Sequence, residues 1–415
     1  MKAIFIALCV LSVSAVAFCE NEQPILTCSA DLFKAQAKPA SDFPLRLFQK
    51  LIAATPDKNV VFSPVSISVS LALLEQAAEG ETKSQLENVL FNNASKPQNT
   101  WLYPYKFLES YIDPSDENST ENGQNKTCLT VSSGLFVRDG LVVKDEFKHL
   151  AKCYATDVQN ASFVSAQATD TINSWISEVS KSTVPQLVHA GELDAGSEAV
   201  LINAIYFKAL WAVPFEKMEE TGVFYRFGKD DDKQEVTYIR TSGIMRYLSD
   251  DDFHVVQLPY TDKKFTMRII LPKKRDGIQL VQKQLTREKF ESLKGRHTNV
   301  KVNVQIPIFS ILTPSNMGTH LKELGLGELF ADAANLTGLT DQPFKINALL
   351  HEAAIDVDEK GTEAASGAVA SVSSSAKDTT NDQAPTDFIV DHPFLFSVVY
   401  EKPLTPIFLG KVNYI

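Results

Sequence analysis

The sequence predicts an α+β fold, and three observations carry that prediction. Apolar side chains recur at helical spacing early in the chain, whereas alternating and continuous apolar runs dominate later. No regular strand–helix alternation marks a parallel α/β sheet, and no period of 20–50 residues marks a solenoid. With 415 residues, 44% hydrophobic and 22% charged, the chain can bury a large core.

The elements follow in order. Phe43, Leu47, Phe48, Leu51 and Ile52 have helical spacing after Ser41, a residue suited to cap the start. Ser63 and Pro64 read as the N-cap and first position of a second helix, with Gly80 as its stop. Thr82 and Gln85 have the spacing of a capping box opening a short helix through Leu86, Val89 and Leu90. Residues 95–127 are polar, a loop around a short aromatic helix at 101–111. Leu129, Val131, Ser133, Leu135 and Val137 alternate as a half-buried strand. Residues 199–211 are nearly all apolar, which predicts a strand buried on both faces. Val300, Val302, Val304, Ile306 and Ile308 alternate as another strand, and residues 394–400 and 406–412 read as a final buried pair.

The formal charge of −11, from 40 basic and 51 acidic residues, argues against a nucleic-acid partner. Lys2, the apolar stretch 3–16 and the small residues after it match a secretory signal peptide cleaved after Ala17 or Cys19. An N-terminal extension (20–41) and a single domain (42–415) would remain, with no apolar run of the roughly 18 residues that a bilayer span needs. A secreted, soluble, extracellular monomer without a membrane partner is expected. Sequons at Asn93, Asn118, Asn125, Asn160 and Asn335 agree with that route and predict a glycoprotein. Cleavage after Ala17 leaves Cys19, Cys28, Cys128 and Cys153, enough for two disulfides, whereas cleavage after Cys19 leaves three cysteines. A staple from Cys28 to the region of Cys128 is one pairing, and the sequence does not fix it. The spacing fits no metal site.

One segment breaks the pattern. Residues 361–387 contain no Leu, Ile, Met, Cys or aromatic side chain, and only 28 residues follow, too few for another domain. A long loop within a compact fold is usually functional or disordered. In its first half Thr362, Ala364, Ser366, Ala368, Ala370, Val372 and Ser374 share one strand face, and all are small. Glu363, the only charge there, falls on the other face, so the segment could enter a close-packed sheet.

These residues carry a family resemblance. The run Glu359, Lys360, Gly361, Thr362, Glu363, Ala364, Ala365, Ser366, Gly367, Ala368 resembles the hinge of a serpin reactive-centre loop. Residues 388–398 resemble the signature downstream of that loop, and residues 203–211 and 62–66 resemble two further serpin motifs in the family's order. The resemblance implies three β-sheets, about nine helices and an exposed loop at about 359–388. It also implies suicide inhibition of a serine protease, in which the cleaved loop inserts into the main sheet. Ser63, Ser66, Asn203 and His351 match the shutter that holds the sheet closed, and Trp211 the breach where the loop enters. Counting 16 positions from Glu359 gives Ser375–Ala376 as the reactive bond, suited to an elastase-like protease. Lys377–Asp378 is the alternative and suits a trypsin-like one. Inhibitory relatives often pair a Lys near position 308 with the residue matching Glu359. Here the position is Ile308, and the loop is several residues longer than usual on its C-terminal side.

The competing classes are an enzyme and a non-inhibitory serpin acting as carrier or chaperone. The chain lacks a Gly-x-Ser-x-Gly elbow, a P-loop and Gly-x-Gly-x-x-Gly, and His351-Glu352 lacks a second zinc-helix histidine. No catalytic residue, metal or cofactor is therefore expected. Lys273, Lys274 and Arg275 form a short basic run of the kind that heparin-like polyanions use, though in an acidic chain such a run reads first as a solvated turn.

Overall fold

The computed structural model describes residues 42–91, 127–164, 167–179, 186–189, 191–293, 295–362, 384–402 and 404–415. Helix α1 (Phe43–Ala54), strand β1 (Val60–Phe62), α2 (Pro64–Ala77) and α3 (Gly80–Phe91) come first. Then follow β2 (Cys128–Arg138), α4 (Asp145–Cys153), β3 (Thr156–Ala161), α5 (Gln167–Val179) and β4 (Ala199–Leu210). Four strands come in succession, β5 (Glu216–Tyr225), β6 (Lys233–Ser249), β7 (Phe253–Pro259) and β8 (Phe265–Pro272), before the short helices α6 (Ile278–Gln284) and α7 (Arg287–Ser292). Next are β9 (Thr298–Pro307), β10 (Phe309–Asn316), α8 (Gly318–Glu323) and β11 (Ala348–Val357). The last strands are β12 (Gly361–Thr362), β13 (Thr386–Ile389), β14 (Phe394–Glu401) and β15 (Leu404–Val412). Eight α-helices thus lie among the described residues, and the aromatic helix expected at 101–111 lies outside them.

The strands form a nine-stranded sheet, β1-β15-β14-β8-β7-β6-β9-β13 with β5 attached to β6, and a six-stranded sheet, β10-β11-β12-β4-β2-β3. The three sheets implied by the resemblance resolve into two hydrogen-bonded units because β6 is long. Its first half pairs with β5 and its last four residues with β7, so one 17-residue strand fuses two strand sets. Helix α2 is buried nearly all round because it lies between both units, against β2, β4 and β15.

Several local expectations are corrected by long-range contacts. Ser63 does cap α2, its Oγ accepting from Ser66 N at 3.4 Å, but α2 stops at Ala77. Gly80, at φ +58°, opens α3 instead of closing α2. Thr82 is buried inside α3, where its Oγ1 accepts from Asn335 N at 2.9 Å. Gln85 Oε1 accepts from Glu328 N, so neither side chain forms the capping box. Strand β2 is more than half-buried, because Phe136 packs edge-on against Trp175 of α5 on the face expected to be exposed. Ser41 lies outside the described residues, and Asp42 occupies the N-cap of α1. Cys153 is disulfide-bonded. Strands β4, β9, β14 and β15 form where apolar runs and alternation place them.

Candidate functional site

The site is a seam between β4 and β11. These strands run parallel and pair from Ala348–Val200 to Ala353–Ile205. Beyond that point they part, and the two residues of β12 stand between them. Thr362 pairs with Val357 of β11 and with Ala209 of β4, antiparallel to both. Glycine is required at 361, because a Cβ there would lie 2.0 Å from the Ala209 carbonyl oxygen.

A bonded turn delivers β12 to this position. Asp358 Oδ1 accepts from Lys360 N at 2.8 Å and from Gly361 N at 3.1 Å, closing the chain back on itself. Trp211 N donates to Lys360 O at 3.0 Å, Trp211 Nε1 to Asp358 O at 2.9 Å, and Phe215 N to Glu359 O at 3.2 Å. The Trp211 ring stacks on Tyr260 at 4.7 Å, and the Tyr260 hydroxyl bonds Thr362 Oγ1 at 2.7 Å. Burial raises the Tyr260 phenol well above its ordinary range, so it stays protonated. Trp211, Gly361 and Thr362, separated by 150 residues, therefore meet in one place.

The lower seam is plugged by buried polar groups. His351 on β11 and Asn203 on β4 are register partners. His351 Nε2 accepts from Ser63 N at 2.9 Å, which places the remaining imidazole proton on Nδ1. Burial pushes this imidazole down to about 3. Asn203 Oδ1 accepts from Ser133 Oγ at 2.8 Å and from Ser70 Oγ, linking β4 to β2 and α2. Ser66 Oγ donates to Ser63 O at 3.2 Å. His351 Nδ1 and Asn203 Nδ2 have no hydrogen-bond partner among the described residues. Neither does Oε2 of Glu352, a buried carboxyl on the other face of β11 that desolvation raises to about 7.

The four positions expected to form a shutter thus lie close together, with His351 bonded to Ser63 N and Asn203 to Ser70 and Ser133. The sequence reading missed Ser70, Ser133, Tyr260 and Asp358. Ser70 and Ser133 carry a signal that could have found them, a hydroxyl on the face of its element that otherwise turns apolar side chains inward. Hinge residues Glu363, Ala364, Ala365, Ser366 and Gly367, both candidate reactive bonds (Ser375, Ala376, Lys377, Asp378) and Asn93, Asn118 and Asn125 lie outside the described residues. Asn160 is exposed, on strand β3 rather than on a loop, and Asn335 is half-buried with its Oδ1 held by Thr337 Oγ1 at 3.0 Å. In the basic run, Arg275 bonds Asp230 at 2.6 Å and lies 3.6 Å over the Tyr225 ring.

Comparison with known proteins gives the same fold. A serine protease inhibitor from Cyanea capillata is 29% identical over 388 residues, 91% of this chain and 98% of the relative. Leukocyte elastase inhibitor A of Rattus norvegicus is 28% identical over 382 residues, 89% of this chain and 97% of that protein. Among solved structures, thyroxine-binding globulin in complex with thyroxine superposes with a TM-score of 0.78 at 25% identity, covering 90% of this chain and 97% of its own. The family model described as "Serpin (serine protease inhibitor)" matches residues 38–415. A parted central sheet with a glycine-threonine strand seated at its opening, and a family match over nearly the whole chain, lead to one conclusion: the protein belongs to the serpin family, a family of protease inhibitors rather than enzymes.

Proposed function

We propose that the protein is a secreted suicide inhibitor of serine proteases. The observation that carries this reading is the parted seam, with Thr362 already paired to both of its walls. The target's serine attacks the loop carbonyl, the peptide bond breaks, and an acyl-enzyme ester holds the N-terminal side of the loop. That side is then free to extend β12 down the seam. Continuing its register places Glu363 between Lys208 and Asp356, Gly367 between Ala204 and Glu352, and Ala368 between Asn203 and His351. The inserted strand is antiparallel to both neighbours, so a short parallel pairing gives way to two antiparallel ladders. About a dozen inserted residues, at roughly 1 kcal/mol net per backbone hydrogen bond, supply on the order of 10 kcal/mol before packing. The uncleaved fold is then kinetically rather than thermodynamically stable.

The test is incubation with elastase-like and trypsin-like serine proteases followed by denaturing electrophoresis. A covalent complex that survives SDS is expected, and clean loop cleavage without one by every protease tried sinks the inhibitory reading. Mass analysis of the released peptide fixes the bond: 376–415 supports Ser375–Ala376, 378–415 supports Lys377–Asp378, and a cut before Gly367 excludes both. Mature protein recovered from culture medium, starting at residue 18 or 20, tests secretion. The same sample tests the expected monomer and occupied sequons. A carrier or chaperone is the second reading, favoured by the likeness to thyroxine-binding globulin. No polyanion is needed for the proposed mechanism, and unchanged complex formation with added heparin checks that.

A further inference from the structure

The upper end of the β4–β11 ladder holds a buried acid with one oxygen unsatisfied. Glu352–Ala204 and Ala353–Ile205 are the two pairs nearest the opening, so they part first when a strand extends from β12. Glu352 is 2% exposed, and its Oε2 is sealed from solvent without a hydrogen-bond partner among the described residues. Its side chain leaves the face opposite to that of His351. On that face Leu350 and Ile202 belong to one apolar cluster with Ile172, Trp175 and Ile176 of α5.

No charge on the surrounding elements compensates this acid. Strand β10 carries no ionisable side chain, Asp170 and Glu178 of α5 are exposed, and Arg138 of β2 is bonded to Gln342. Lys208 lies four residues beyond Ala204 on β4, and Asp356, four residues beyond Glu352, accepts from Ser310 Oγ. On the other face, Glu75 is the one ionisable residue of α2 and pairs with Lys83 at 3.7 Å. Burial alone therefore raises the Glu352 carboxyl to about 7, as it lowers the adjacent His351 to about 3. A neutral acid and a neutral base thus adjoin on opposite faces of one strand.

Opening the seam changes both environments. Neighbouring strands lie about 4.8 Å apart, so a strand entering between Ala204 and Glu352 must first part them to roughly twice that, which admits water. We propose that Glu352 is a proton-linked latch that counterbalances His351, so that the force needed to open the seam stays nearly constant across mildly acidic pH. A carboxyl open to water ionises near 4.3, so opening releases a proton from Glu352 between that value and about 7, and rising pH favours it. An imidazole open to water protonates near 6.5, so opening delivers a proton to His351 between about 3 and that value, and falling pH favours it. Each group alone would change the opening equilibrium up to ten-fold per pH unit; together they cancel between about 4.5 and 6.5. The use of the latch rests on the insertion reading, but the latch itself belongs to the sheet and is tested without a protease.

Amide hydrogen exchange read by mass spectrometry on the full chain tests this, at pH 5.5 and 7.0 with rates divided by those of the unstructured chain. Segments 200–205 and 348–353 report the seam, and 266–271 of β8 the closed sheet. The seam amides should exchange at least ten-fold faster than those of β8, the mark of local opening. In the parent their corrected rates should differ less than about three-fold between the two pH values. In Glu352→Gln the seam should open at least five-fold more readily at pH 5.5 than at 7.0, because His351 is left unopposed. Glu352→Leu removes the carboxyl altogether and should give the same acid response, which keeps the test decisive if the glutamine variant does not fold. A variant as insensitive to pH as the parent, or seam amides exchanging no faster than those of β8, overturns the latch. Failure to form covalent protease complexes overturns the inhibitory reading instead and leaves these rates unchanged.

Discussion

Two strand pairs at the centres of the two sheets, β8 with β14 and β4 with β11, are built from equally apolar sequence yet behave as opposites. Every residue of β8 is buried, and antiparallel partners flank it on both sides, β14 along 265–270 and β7 along 266–272. Strands β4 and β11 are also buried, but they run parallel, pair at only six positions and then separate around β12. The ladder that stays shut is therefore not the more hydrophobic one. What distinguishes the seam is strand direction, because β4 and β11 run parallel where β8 runs antiparallel to both of its neighbours. Area buried scales with composition, whereas the ease of opening scales with what each strand gains by exchanging its neighbour.

The largest expected effect comes from charging the entrance. Thr362→Arg places an unpaired guanidinium where the threonine now bonds Tyr260 in a fully buried position, a penalty of several kcal/mol. Covalent complexes should fall at least ten-fold while loop cleavage continues at the same bond, and densitometry of complex against cleaved chain reads the ratio. Undiminished complex formation would refute insertion through this seam.

Removing the plug comes next. His351→Ala strips Ser63 N of its acceptor and leaves a cavity beside Phe62, at about 1–3 kcal/mol for the unpaired group alone. The seam should then open more easily, giving faster latency or polymerisation on native gels after mild heating. A variant that stays monomeric and active like the parent would return His351 to the ordinary core.

A pH series sharpens the same comparison, because adjacent residues on β11 titrate with opposite sign. His351 stays neutral down to about 3 when folded but protonates near 6.5 when unfolded, so its contribution is present above that value and lost as pH falls toward 3. Glu352 stays protonated up to about 7 when folded but ionises near 4.3 when unfolded, so its contribution is full below that value and lost as pH rises toward 7. Each slope is about 1.4 kcal/mol per pH unit, and the two nearly cancel between the unfolded-state values. Glu352→Gln should therefore gain stability over the parent between pH 4.5 and 7 by roughly 1 kcal/mol per unit, read from urea midpoints. A pH-independent difference would mean that the carboxyl is ionised in the fold. The smallest effect is expected at an exposed pair of the other sheet, Glu216–Arg240 at 3.5 Å, where Glu216→Gln should shift the same midpoints by less than about 0.5 kcal/mol.

What the sequence revealed was local, and what it hid was not. The run through β4 and the alternation in β9 are legible because burial on one or two faces imprints itself on consecutive residues. Thr82 misled because its hydroxyl is bonded to Asn335, some 250 residues away, rather than to its neighbours. The seam itself had no local signature. It arises where β4 meets a strand about 150 residues downstream, and the register that sets His351 beside Asn203 exists only once those two strands have paired. Ser70 and Ser133 were passed over because a hydroxyl in an apolar run reads as tolerated until its partner is known.

The stack of Trp211 on Tyr260 also has an optical consequence. Its indole is bonded to the turn that launches β12, while Tyr260 grips Thr362, so chain moving past Thr362 must disturb this chromophore first. Trp175 sits far down the same sheet, edge-on to Phe136, where β2 pairs with the opposite end of β4. Two indoles thus mark the start and the finish of the strand's path. In a stopped-flow mixing experiment with protease, unlabelled protein would time its own transit, the Trp211 emission changing before that of Trp175.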